Sequence, residues 1–100
     1  IVYTTAASLQ DAEFLINKVM ENKLAACVNV IESDRSYYIW EGNLQSEVEV
    51  YIIFKTMCEK SAELSALILR EHTYKTPALL MWNVTASNDF HKYVTDAILK

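Results

Sequence analysis

Hydrophobic residues recur along this chain in two alternating rhythms, one suited to strands and one to helices. Ile1-Val2-Tyr3-Thr4-Thr5-Ala6 is dense in β-branched and aromatic residues, which fit a pleated surface. Ser8 with Asp11 three positions later is a helix-start signature, so the spacing predicts a strand running straight into a capped helix. Leu9, Ala12, Leu15, Ile16, Val19 and Met20 then follow at three- and four-residue intervals, with Asp11, Glu13, Asn17, Lys18 and Glu21 between them. That is an amphipathic helix with one buried stripe.

Ala25-Ala26-Cys27-Val28-Asn29-Val30-Ile31 is apolar at almost every position, which predicts a strand covered on both faces. A polar interval, Glu32 to Ser36, precedes Tyr37-Tyr38-Ile39-Trp40, and Glu41-Gly42-Asn43 supplies the one glycine-based turn. Beyond it Val48, Val50, Ile52 and Phe54 alternate with Glu47, Glu49, Tyr51, Ile53 and Lys55, the pattern of a long hairpin partner strand. Thr56 with Glu59 repeats the capping signature, and Leu64, Leu67, Ile68 and His72 mark the face of a second helix ending near His72. After Pro77 a buried strand is predicted over Ala78 to Val84, with Trp82 in the core. Ser87 or Asn88 caps a last helix whose buried stripe is Phe90, Tyr93, Val94, Ala97 and Ile98.

The order is strand-helix-strand-strand-helix-strand plus a terminal helix, filling one domain over residues 1–100. It predicts an α+β fold: a ferredoxin-like βαββαβ sandwich with a long hairpin between the second and third strands and an extra C-terminal helix. Right-handed crossovers put the first and third strands side by side at the sheet centre, with the helices on one face. Such a fold hosts many functions and selects none.

Strand length adds a second inference. Leu24 to Trp40, as one extended strand, would span on the order of 55 Å at ~3.3 Å per residue. A 100-residue domain has a radius of gyration of only about 13 Å. Either the strand bends at Glu32–Ser36 or its tip reaches another chain, and the cluster Tyr37, Tyr38, Ile39 and Trp40 would be an exposed apolar patch on a monomer. Self-association explains both features. The competing arrangement folds these aromatics back over the first helix.

Composition narrows the chemistry. With 52% hydrophobic and 22% charged residues the chain builds a packed core without disulfide or metal staples. A net charge of −4 with no basic run argues against nucleic acid, whose binding is mostly electrostatic. One glycine, Gly42, excludes P-loops, dinucleotide fingerprints and nucleophile elbows. No apolar run approaches the ~18 residues of a membrane span. Cys27 and Cys58 have no C-x-x-C spacing, so a reducing, cytoplasmic compartment is expected, although a removed targeting peptide would leave no trace before Ile1.

The candidates for nucleophilic chemistry are Cys27, Cys58, His72 and His91. Cys27 lies in an apolar strand, where burial makes a thiol inert; Cys58, near a helix start, has no motif around it. His72 closes the second helix beside Glu71, where a helix C-terminus favours a cationic imidazole; it either caps the helix or handles a ligand or proton. His91 falls on the exposed side of the last helix. No segment has metal-ligand spacing, so a metal site would have to be assembled between chains. Lys55, opposite in parity to Phe54, is either an edge charge or a hold for an anionic ligand. A metallochaperone would need paired cysteines near Thr4–Ser8, an RNA-recognition module glycine and aromatics near Glu47–Tyr51, and an acylphosphatase an arginine in a glycine loop after the first strand. None is present.

Four segments together point to a family. Glu21-Asn22-Lys23-Leu24-Ala25-Ala26-Cys27-Val28-Asn29, Tyr37-Tyr38-Ile39-Trp40-Glu41-Gly42, Phe54-Lys55-Thr56 and His72-Thr73-Tyr74-Lys75-Thr76-Pro77 resemble, in order and spacing, the CutA divalent-cation tolerance family. The resemblance implies a PII-like homotrimer in which the long hairpin pairs with neighbouring subunits. It implies a non-enzymatic, signal-transduction-like response to metal ions, with copper or another divalent cation, or a small anionic ligand, bound at intersubunit clefts and not required for folding. A structural trimer anchoring some other protein is the alternative. The matching residues Cys27, Trp40, Glu41, Lys55, His72, Tyr74 and Pro77 would surround the intersubunit pocket, and Glu71 with His72 would hold the metal. The chain departs from the family pattern at Thr4, where a cysteine often stands, at Glu71-His72-Thr73, where two histidines can precede Pro-Tyr, and at Ala78, commonly glutamate.

Overall fold

The computed structural model describes residues 1–32 and 35–100, so Ser33 and Asp34 of the expected bend lie outside the described residues. The elements are β1 (Val2–Ala6), α1 (Leu9–Glu21), β2 (Cys27–Glu32), β3 (Ser36–Trp40), β4 (Asn43–Glu47), β5 (Val50–Lys55), α2 (Ser61–Glu71), β6 (Leu79–Met81) and α3 (Asn88–Leu99), with a short 3₁₀ turn at Cys58–Lys60 before α2. Four strands form one antiparallel sheet in the order β2-β5-β1-β6, and β3 and β4 form a separate two-stranded ribbon. β1 and β5 are central, as the ferredoxin-like order requires.

Local signals account for most boundaries. The Ser8 hydroxyl accepts from the Asp11 N–H at 3.1 Å and starts α1; Ser87 does the same for α3 through Phe90 at 3.3 Å. Between Trp40 and Asn43 the turn needs positive φ at both positions, met by Glu41 (51°) and Gly42 (81°). Thr56 does not cap α2. Its hydroxyl donates to the Leu24 carbonyl at 2.7 Å, tying the end of β5 to the entry of β2, and α2 begins only after the 3₁₀ turn.

The core lies between one sheet face and α1 with α2. Val2, Thr4 and Ala6 of β1 and Val50, Ile52 and Phe54 of β5 meet Ala12, Leu15, Val19, Leu64, Leu67 and Ile68, all nearly inaccessible. The hydroxyl of Thr4, buried in this apolar layer, donates to the Ala78 carbonyl at 2.6 Å.

Several expectations of burial fail for one reason. β2 and β6 are edge strands, so within one chain neither is covered on both sides: Val30, Ile31, Leu80, Met81 and also Trp82 are all exposed by a third or more. Trp82 is therefore not a core residue. α3 sits at the end of the sheet and buries only Val94 and Ile98, against Ala26 and Met57, while Phe90, Tyr93 and Ala97 remain exposed. Lys55 stands on a central strand, not an edge.

The long strand is divided. In place of one strand from Leu24 to Trp40, β2 belongs to the main sheet and β3 to the ribbon; on the return, β4 ends at Glu47 and β5 starts at Val50. Val48 and Glu49 break the ladder, and the break shifts the phase: Val48, expected inward, is 58% exposed, and Glu49, expected outward, is 8% exposed. The ribbon stands out as an arm and gives the molecule a 45 Å long axis. It does not fold back as a core element, for Tyr37, Ile39 and Leu44 are each about 70% exposed.

Candidate functional site

The phase shift at Val48 and Glu49 builds the most distinctive polar group in the molecule. Glu49 enters the base of the arm and its Oε2 accepts two hydrogen bonds, from the Thr5 hydroxyl at 3.1 Å and from the Tyr74 phenol at 2.8 Å. A buried carboxylate is tolerated only when hydrogen-bonded, and here β1 and the loop after α2 each supply one donor. The Tyr74 phenol is held well above its ordinary value of 10.0, first by burial, then by its bond to Glu49 and by the charges of Glu49 and Glu47. Tyr3 and Tyr38 are shifted the same way, burial again first, with Tyr51 and Glu49 acting on Tyr3 and Glu47 and Glu49 on Tyr38.

His72 lies behind this group. It is the C-cap residue of α2; its Nδ1 accepts from the Tyr74 N–H at 2.9 Å, and its Nε2 lies 2.6 Å from the Thr5 carbonyl. Nδ1 is therefore a lone pair and Nε2–H the donor, the neutral tautomer, in contrast to the cationic imidazole expected at a helix end. With both nitrogens spent on backbone groups, the ring positions the 72–74 turn and packs against Tyr74, centroids 4.8 Å apart and planes tilted by 41°.

Alternation along the ribbon completes the site. Ser36, Tyr38 and Trp40 share one face of β3 with Gln45 and Glu47 of β4, and this face looks across at Tyr3, Thr5 and the 73–78 loop. Between them is a cleft of about 920 Å³, into which Glu49, Tyr74, Lys75 and Pro77 also project. The opposite face of the ribbon carries Tyr37, Ile39, Leu44 and Ser46.

The expected site residues thus divide among separate places. Trp40, Tyr74 and Pro77 line the cleft, with His72 packed against Tyr74. Glu41 sits in the exposed turn at the arm's tip. Cys27 and Lys55 are paired across β2 and β5 at the opposite end of the sheet, where Lys55, its Nζ 5.9 Å from the Phe90 ring centroid, lines a second cavity of about 550 Å³ with Met57, Cys58, Phe90 and His91. Glu71 faces its neighbour Arg70 at 3.6 Å, and the His72 ring is turned to the Thr5 carbonyl and the Tyr74 N–H. Among the described residues no three His, Cys, Asp or Glu side chains converge as metal ligands. The residues that sequence reading passed over are Glu49, Glu47, Tyr3 and Thr5. The one available signal was a pair of acids, Glu47 and Glu49, inside an otherwise apolar strand.

The family described as CutA1 divalent ion tolerance protein matches residues 1–97. The Divalent-cation tolerance protein CutA of Archaeoglobus fulgidus is 40% identical over 78 residues, covering 78% of this chain and 76% of the relative. A structure of the periplasmic divalent cation tolerance protein CutA from the same organism superimposes with a TM-score of 0.91 at 33% identity, covering 97% of this chain and 95% of that one. CutA1 from Ehrlichia chaffeensis superimposes with a TM-score of 0.90 at 33% identity, over 97% and 92% of the two chains. This chain belongs to the CutA1 divalent ion tolerance protein family.

Proposed function

We propose that the protein is a non-enzymatic, metal-responsive binding protein of the signal-transducing kind that works as a homotrimer, with its ligand held where subunits meet. The observation that carries this reading is the apolar surface one chain leaves uncovered: Ile31 on one edge strand, Leu80 and Met81 on the other, and Ile39 and Leu44 on the arm are 46–70% exposed. Two unsatisfied sheet edges and a protruding ribbon are suited to pairing with further copies.

A divalent ion is the ligand class the family name favours; copper is the ion of this proposal, and it needs donors from more than one chain. Glu71 and His72 remain the donors of this reading, His72 once a bound ion displaces the Tyr74 N–H from Nδ1. A small anion fits better beside Lys55 and His91 than in the acidic cleft. Two free thiols, Cys27 and Cys58, agree with a reducing, cytoplasmic setting. No helix among the described residues is long and apolar enough to cross a membrane.

Sedimentation equilibrium over a wide dilution range tests the assembly, and a stable trimer is expected; a monomer throughout would sink the reading. Calorimetric titration with Cu²⁺ tests the ligand. Saturable binding weakened by Glu71→Ala is expected, and no heat above buffer would remove copper from the proposal.

A further inference from the structure

We infer that the cleft beneath the arm is a binding site for an organic cation of the alkylammonium class, built within a single chain and independent of the trimer proposed above. Five aromatic residues, Tyr3, Tyr37, Tyr38, Trp40 and Tyr74, line this one cavity together with two carboxylates, Glu47 and Glu49; Tyr37, whose strand parity turns its ring to the other face of the ribbon, is left out of the argument. Aromatic faces carry negative quadrupole density and attract a weakly hydrated cation, most strongly where carboxylates set the surrounding potential. Burial raises the phenols of Tyr3, Tyr38 and Tyr74 first, and the nearby carboxylates, Glu49 in all three and Glu47 in the last two, add to it.

Glu49 supplies the second, independent indication. It is 8% exposed, its two hydrogen bonds both fall on Oε2, and Oε1 has no partner among the described residues. No fully enclosed side-chain oxygen or nitrogen there goes unpartnered, so Oε1 opens onto the cleft that Glu49 lines. A carboxylate oxygen at the floor of an aromatic cleft is placed to face a positive charge. Two of the rings are also held in position by residues outside the lining: Tyr3 by Tyr51, centroids 6.0 Å apart, and Tyr74 by His72.

Other ligand classes fit less well. A divalent metal wants several oxygen, nitrogen or sulfur donors at short range, and the lining offers two carboxylates and no His or Cys. An anion would meet Glu47 and Glu49. Lys75, exposed at the rim, is the one cationic side chain in the lining and opposes the proposed ligand, so two carboxylates outweigh one ammonium.

Choline is a suitable probe, with its neutral carbon isostere as the control, added to the intact protein carrying Trp82→Phe so that fluorescence reports Trp40. Saturable quenching by choline is expected, with the neutral isostere at least about tenfold weaker; Trp40→Leu, which removes the fluorescent reporter and is therefore read by calorimetric titration, should weaken choline by about fivefold or more. Glu47→Gln, at an exposed position, should weaken it about threefold, and Lys75→Gln should strengthen it. Equal binding of the isostere, or no response to Glu47→Gln, overturns the inference. Sedimentation of the same samples separates the two proposals: a trimer that ignores choline removes this one alone, and a choline-binding monomer removes the trimer alone.

Discussion

The sheet body and the hairpin arm carry the same alternating pattern of large apolar residues and differ completely in what that pattern achieves. In β5, Val50, Ile52 and Phe54 face α1 and α2 and are almost inaccessible; in the arm, Tyr37, Ile39 and Leu44 alternate just as regularly and stay largely exposed. Alternation specifies which residues share a face. Burial requires a second layer, and one chain provides that layer for the body alone. The junction between the two regions is Glu49, where a single shift of phase turns a carboxylate inward and a valine outward.

The sharpest test of this contrast is Phe54→Ala, which removes the largest fully buried side chain of the body. A loss of about 3–5 kcal/mol is expected from urea unfolding. A cost no greater than that of a surface substitution would mean the body is not the stable part of the molecule.

At the junction the expected effect is smaller. Tyr74→Phe removes one of the two donors to the Glu49 carboxylate, for a loss of about 1–3 kcal/mol. It also alters alkaline behaviour. The folded Tyr74 phenol is held above 10.0, so the unfolded chain releases its proton first as pH rises; the stabilisation is fully present below about pH 10 and is lost above it. Wild type should therefore lose more stability than Tyr74→Phe as pH is raised beyond that point, and parallel declines would show that the phenol and Glu49 are not coupled.

These two regions also differ in how far the sequence reveals them. The element order, the caps at Ser8 and Ser87, the turn at Glu41-Gly42 and the stripe Leu64, Leu67 and Ile68 follow from short-range chemistry, and all are found. The apolar character of Trp82, Phe90 and Tyr93 predicts a place in the core, yet burial depends on neighbours distant in sequence, and all three are exposed. Glu49 escaped for a related reason. Its inward turn depends on one break in a ladder and on donors 44 positions before it and 25 after it, which no local pattern encodes. Trp40, Tyr74 and Pro77 do share a cleft, while Cys27 and Lys55, equally matched to the family, lie at the far end of the sheet.

The arm itself should be nearly silent in the stability of a single chain. Leu44→Asp places a charge at a position 70% exposed and should change the unfolding free energy of the isolated chain by no more than about 0.5 kcal/mol. If the arm docks onto other copies, the same substitution should abolish their association in sedimentation. An unfolded Leu44→Asp chain would erase the distinction between arm and body.

The smallest effect belongs to a surface that neither region uses. On the outside of α3, Asp96 accepts from Lys92 and Lys100, and its carboxyl is held below the ordinary range by those two bonds first and by the ammonium charges after them. A lowered folded value means stabilisation that is present above the unfolded value near 3.8 and is lost as pH falls through the folded one. The group is only half-buried and its charge is screened, so Asp96→Asn should lower the thermal midpoint only slightly at neutral pH and low salt. That difference should vanish in strong acid, where both side chains are uncharged, and in concentrated salt. A difference that survives both conditions would show that Asp96 acts through something other than its ion pairs with Lys92 and Lys100, since both conditions remove them.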